Sequence, residues 1–111
     1  MKLSDLINLP EGWDGHLGRP VDFDVAKFAV KFLASTLDSE SPAPQIVPLS
    51  YGGLQLEWHE RDIDLEIEIE IPNRLFVSFT DHRGDEEFER EFSADYSEVT
   101  RVLRILSTRE A

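Results

Sequence analysis

"IDLEIEIEI", from Ile63 to Ile71, alternates apolar and acidic residues without a break. A period of two is that of a β-strand, whose successive side chains point to opposite faces. Ile63, Leu65, Ile67, Ile69 and Ile71 therefore belong to a dry face, and Asp64, Glu66, Glu68 and Glu70 to a wet one. An antiparallel sheet can keep one face in water. This stretch thus predicts an antiparallel sheet covered on one side only.

The flanking segments extend that sheet. In "LQLEWHE", Leu54, Leu56 and Trp58 alternate with Gln55, Glu57 and His59, and the polar "HERD" turns this strand into the next. Upstream, "QIVPL" is short and carries Pro48, which suits an edge position, and "SYGG" is a turn. Downstream, Pro72 and Asn73 lead to "RLFVSFT", with Leu75, Val77 and Phe79 inward. "DHRGDE" then turns into "EFEREF", with Phe88 and Phe92 inward.

Helices bracket the strands. Val25, Phe28, Ala29, Phe32, Leu33 and Leu37 recur at helical spacing from about Asp22, a good N-cap, to Leu37. The proline-containing "DSESPAPQ" ends that helix. "SADYSEVTRVLRIL" forms a second helix, with Asp95 and Glu98 spaced as a capping box and Tyr96, Val99, Val102, Leu103 and Leu106 inward. Before all of this, "LSDLINLP" reads as a short helical turn and "EGWDGHLGRP" as a glycine-rich loop. The predicted fold class is α+β: an antiparallel four- to five-stranded meander with two helices on one face, in the order α-β-β-β-β-β-α. Its core is expected to hold Leu54, Leu56, Trp58, Ile63, Leu65, Ile67, Ile69, Ile71, Val77, Phe79 and Phe88.

The 111 residues suit a single domain spanning residues 1–111. With 41% hydrophobic residues the chain is an ordinary globular one. It has no cysteine, so disulfides and thiolate metal sites are excluded. No window is long and apolar enough for a membrane span or a signal peptide, and a cytoplasmic location is expected. The formal net charge is −12. Counting from Leu54 to Phe92 gives 13 acidic residues against 4 Lys and Arg, so the excess lies in the sheet. Such a chain does not bind a nucleic-acid backbone directly, since that requires a basic surface.

"LPEGWDG", "PQIVP" and "GGLQLEWHERDIDLEIEI" resemble the landmarks of a family of small uncharacterised bacterial proteins. That family runs Leu-Pro-x-x-Trp-Asp, a Gly/Pro-rich loop, a helix, and Gly-Gly-x-Gln-Leu-Glu-Trp before an alternating strand. The likeness covers the chain to about Ile71, and "GHLGRP" departs from the family's loop. It implies bacterial origin and a shared fold. The family has no established activity, so no catalytic residue is carried over.

Function is sought first in the acidic row. Alternate residues of a strand stand about 6.6–6.8 Å apart, close to the roughly 6–7 Å between successive phosphates of a nucleic-acid strand. Glu57, Asp64, Glu66, Glu68 and Glu70 are therefore the candidate partner-binding residues. The plain alternative is a solvated face that discourages aggregation. Like charges so close cost stability, which points to a use for them, and their repulsion predicts a domain that gains stability from pH 7.5 toward about pH 5. The expected function is a non-catalytic, antitoxin-like inhibitor covering a basic protein, either a toxin or a nucleic-acid-binding protein. A nucleic-acid mimic of the anti-restriction or anti-CRISPR type is the alternative. Trp13 and Asp14 of "GWDG" form a possible secondary binding loop, although such a Trp more often plugs one end of a core while the Asp bonds backbone amides in a turn.

Glu57, His59 and Glu66 also have the chemistry of a divalent-metal hydrolase site. An open sheet, however, offers neither a cavity nor an evident partner to orient the histidine. No metal ligands, cofactor or catalytic residues are expected. His16, His59 and His82 lie in different elements, and no nucleophile elbow or phosphate-binding loop is present.

Overall fold

A computed structural model describes residues 20–110. The turn expected in "LSDLINLP" and the loop bearing Trp13 and Asp14 lie outside the described residues. Within them the order is α1 (Phe23–Thr36), β1 (Gln45–Pro48), β2 (Leu54–Glu60), β3 (Ile63–Ile69), β4 (Leu75–Asp81), β5 (Glu87–Phe92) and α2 (Ser97–Thr108). The strands form one antiparallel sheet in the order β1-β2-β3-β4-β5, the predicted meander, with Pro48 on an edge strand. The fold is α+β.

Strand alternation divides the sheet as expected. Leu54, Leu56, Trp58, Ile63, Leu65, Ile67, Ile69, Leu75, Val77 and Phe79 are all buried. Both helices add to the same cluster, α1 through Val25, Ala26, Ala29 and Phe32, and α2 through Val99, Val102, Leu103 and Leu106. Phe28 and Phe32 meet the Tyr96 ring edge-on and join the two helices. Trp58 fills the core while its indole N–H donates to the Pro42 carbonyl at 2.9 Å, so its polar edge is satisfied.

Three expectations need correction. The central strand ends at Ile69, two residues early, and Ile71 is 45% exposed rather than in the core. Pro72 cannot donate to a ladder, and Asn73 takes a left-handed φ of 65°, so the turn begins before the alternation ends. Phe88 is half-buried, packing at 5.4 Å against Phe79 from the last strand. The capping box does not form. The Asp95 carboxylate accepts from the Ser97 amide at 2.9 Å, whereas Glu98 turns to Arg101, which also holds Glu86. Asp22 occupies the N-cap position of α1 but makes no side-chain cap hydrogen bond.

The turns explain two sequence features. In "SYGG", a Cβ on Gly53 would lie 2.6 Å from the Ile69 carbonyl oxygen, so only glycine lets the loop approach β3 there. In "HERD", Arg61 and Asp62 both adopt positive φ, the two-residue geometry that matches the twist of a hairpin. The Arg61 guanidinium reaches α2 and donates to the Leu106 and Ser107 carbonyls, which a helix end leaves unpaired.

The same end of the sheet holds the buried acid Asp81. Arg109, just past α2, pairs with both its oxygens at 2.7 and 2.8 Å, and the Arg83 amide donates to it at 3.0 Å. These bonds, Arg109 first, keep the Asp81 carboxyl far below the usual carboxylate range.

Ile67→Ala and Trp58→Ala should each cost about 2–5 kcal/mol by opening a cavity, while Glu68→Gln should be neutral or mildly stabilising. Denaturant unfolding checks this assignment of faces. An unchanged midpoint for Ile67→Ala with a sharp fall for Glu68→Gln is the contrary result.

Candidate functional site

The outer face follows from the strand register. Across β2, β3, β4 and β5 it reads Gln55, Glu68, Phe76 and Glu91 on one level, and Glu57, Glu66, Ser78 and Glu89 on the next. The third level is His59, Asp64, Thr80 and Glu87. Strands stand about 4.7–4.9 Å apart, so the acidic rows of β3 and β5 flank an uncharged row on β4, roughly 9–10 Å across. Asp64, Glu66, Glu68 and Glu57 share this face as expected. Glu70 lies past the end of β3, where Arg74 comes within 3.7 Å of it and of Glu91. The only Arg or Lys in a described strand, Arg90, lies on the opposite face, exposed over the Phe88 and Phe92 rings.

Sequence reasoning missed Glu87, Glu89 and Glu91 as part of the face. The signal was present in "EFEREF", where acids alternate with Phe88 and Phe92, but attaching them to this surface requires the β3–β4–β5 register. At one end the aromatic ring of Phe76 is 46% exposed between the acidic rows, and the Tyr51 hydroxyl donates to Glu68. Partial burial, then this bond, pushes the Tyr51 hydroxyl pKa upward. A shallow depression of about 340 Å³ lies over Ser78, Thr80, Glu87 and Glu89.

The register also unites two histidines that the sequence places in separate elements. His59 Nδ1 lies 2.8 Å from one oxygen of Asp64, and His82 Nε2 lies 2.7 Å from the other. His59 sits opposite Asp64 in the β2–β3 ladder. His82 follows β4, where its amide donates to the Asp62 carbonyl at 2.9 Å. His16 lies outside the described residues.

This bracket corrects the electrostatics expected of the row. The bond from His82, then that from His59, holds the Asp64 carboxyl below its ordinary pKa. Asp64 in turn raises both histidines above theirs. The acid at this end is stabilised as an anion by hydrogen bonds from two imidazoles, where repulsion had been expected to disfavour it. His59 Nε2 also lies 3.7 Å from Glu57 and 3.9 Å from Glu66. Glu57 and Glu66 face each other directly across the strands, an arrangement that is unfavourable without a cation.

Comparison of the chain with protein-family models, with curated proteins and with solved structures finds no match. Among the described residues, no helix is long and apolar enough to cross a membrane.

The two histidines predict the same direction of pH dependence that repulsion along the row predicted, from a different source. Their raised pKa values contribute stability that is complete below the ordinary histidine value of about 6.5 and lost as pH climbs through the raised values. The lowered Asp64 contributes stability present above about pH 3.9 and lost as pH falls through its folded value. This cluster therefore favours the folded state most between about pH 4 and 6.5. Melting curves in a chelating buffer should show higher stability at pH 5.5 than at pH 7.5, and the double variant His59→Gln/His82→Gln should flatten that difference. An undiminished difference in the double variant returns the effect to other groups.

Proposed function

We propose that this domain is a non-catalytic binding protein, an inhibitor or antitoxin-like partner that covers a basic protein surface with the outer face of its sheet. The observation that carries this reading is the arrangement of two acidic rows, Asp64, Glu66, Glu68 and Glu87, Glu89, Glu91, on either side of the uncharged Phe76, Ser78 and Thr80. Carboxylates in regular rows on a sheet attract a Lys- and Arg-rich segment over their whole length and steer its approach. The neutral row between them adds apolar contact, with Phe76 as an aromatic anchor of the kind that concentrates binding energy.

The same rows support the mimic reading as a special case. Their pitch of about 6.6–6.8 Å along the strand is near that of phosphates, so the basic surface of a nucleic-acid-binding protein fits them. Glu57 extends the field onto β2, and Glu70 extends it past the end of β3. A bacterial, cytoplasmic setting is part of this proposal; the origin rests on the sequence resemblance and the location on composition.

Affinity capture from the native cell tests the reading. The intact domain should retain a basic protein at low salt and release it as salt rises. Reversal of Glu66 and Glu68 to Lys should preserve or raise the melting temperature and abolish capture. If the captured protein is a nucleic-acid binder, competing DNA should displace the domain under the mimic reading and leave it bound under the general one. A double reversal that retains the same partner at the same salt overturns the assignment of this face.

A further inference from the structure

Glu57, His59 and Glu66 each place a potential ligand atom within 4.8 Å of the other two. The His59 Nε2 distances of 3.7 Å to Glu57 and 3.9 Å to Glu66 are too long for hydrogen bonds. They approach the separation of two ligands on a common ion. Donors about 2.0–2.2 Å from zinc stand about 3.3–3.6 Å apart in a tetrahedron. Glu57 is 17% exposed and Gln55 donates to its near oxygen at 3.1 Å, so small rotations of the more exposed His59 and Glu66 close the remaining gap.

The other nitrogen of His59 is already engaged. Nδ1 donates to Asp64 at 2.8 Å, and the second Asp64 oxygen is held by His82 at 2.7 Å. With its proton placed on Nδ1, the imidazole turns Nε2 toward the Glu57 and Glu66 carboxylates. Metal-binding histidines characteristically donate their second ring N–H to a carboxylate in this way, which fixes both tautomer and ring orientation. The expectation of no metal rested on an open face without a cavity and on the want of such a partner; the face is open, and the β2–β3 register supplies the partner in Asp64.

We infer that Glu57, His59 and Glu66 form a binding site for a divalent transition-metal ion of the zinc type, with Asp64 as the residue that positions His59. The donor set selects the ion. One imidazole with two carboxylates suits zinc and its neighbours, whereas calcium and magnesium prefer an all-oxygen shell. Water completes the coordination on the exposed side. A dication there also cancels the repulsion between the opposed Glu57 and Glu66, which gives the folded state a gain from binding. The inference does not depend on the partner-binding reading of the face.

Calorimetric titration of the full chain with zinc chloride tests it. The expected result is one saturable site per chain, with magnesium and calcium weaker by about 100-fold. His59→Gln and Glu66→Gln should each abolish the site. Asp64→Asn should weaken it about 10–100-fold, and Glu91→Gln, on the same face but on β5, should leave it unchanged. Zinc should raise the melting temperature of the wild type and not that of His59→Gln, with circular dichroism establishing that each variant is folded. Absence of saturable zinc binding by the wild type overturns the inference. Equal losses in Glu91→Gln and His59→Gln also overturn it, because diffuse attraction to the acidic face then accounts for binding. An Asp64→Asn variant with undiminished affinity removes the positioning role.

Discussion

The strict alternation of β3 is the constraint on which the rest of the molecule depends. This strand is the middle one of the five and is hydrogen-bonded on both sides, so its register sets that of its neighbours. Leu56, Ile67 and Val77 line up across three strands on the dry face, and Glu57, Glu66 and Ser78 line up on the wet one. A slip of one residue would exchange the faces and drive Asp64, Glu66 and Glu68 into the core. Ionised carboxylates cannot be accommodated there without partners. The acidic row therefore enforces the register that displays it, whatever it binds.

The far end of the sheet is pinned by a second set of charges. Arg109 grips Asp81 where β4 gives way to the turn, and Arg61 takes the last carbonyls of α2. Arg83 adds a bond to Asp62 at 2.6 Å, and the His82 amide reaches the Asp62 carbonyl. These contacts tie the two hairpin turns and the C-terminal helix into one unit. His82 is thereby held beside Asp64, and Asp64 beside His59. The clasp packs the helix and also positions the charged groups of the outer face.

That face is not a uniform field of negative charge. Its β2–β3 corner carries two histidines that offset the local repulsion, whereas β5 carries Glu87, Glu89 and Glu91 at every outward position. Between them the outward row of β4, Phe76, Ser78 and Thr80, is uncharged. Charge density, a hydrophobic anchor at Phe76 and a mixed imidazole–carboxylate cluster thus share one surface, and Glu57 and Glu66 belong both to the acidic field and to the cluster.

By itself the sequence determined the elements, their order and the inward residues, because alternation and helical spacing are local patterns that burial must obey. Leu54 through Ile69 read directly as core for that reason. Ile71 did not, since the apolar pattern outlasts the strand, and the conformations of Pro72 and Asn73 end the ladder first. The shared face of Asp64, Glu66 and Glu68 was legible within one strand. What only the tertiary structure decided was which strands' side chains meet. Glu89 joins Glu66 through Ser78, and His59 and His82 converge on Asp64 from opposite sides, across 23 positions of sequence. Those meetings are set by the strand register and the clasp at Asp81, and both join residues of different elements that no local pattern links.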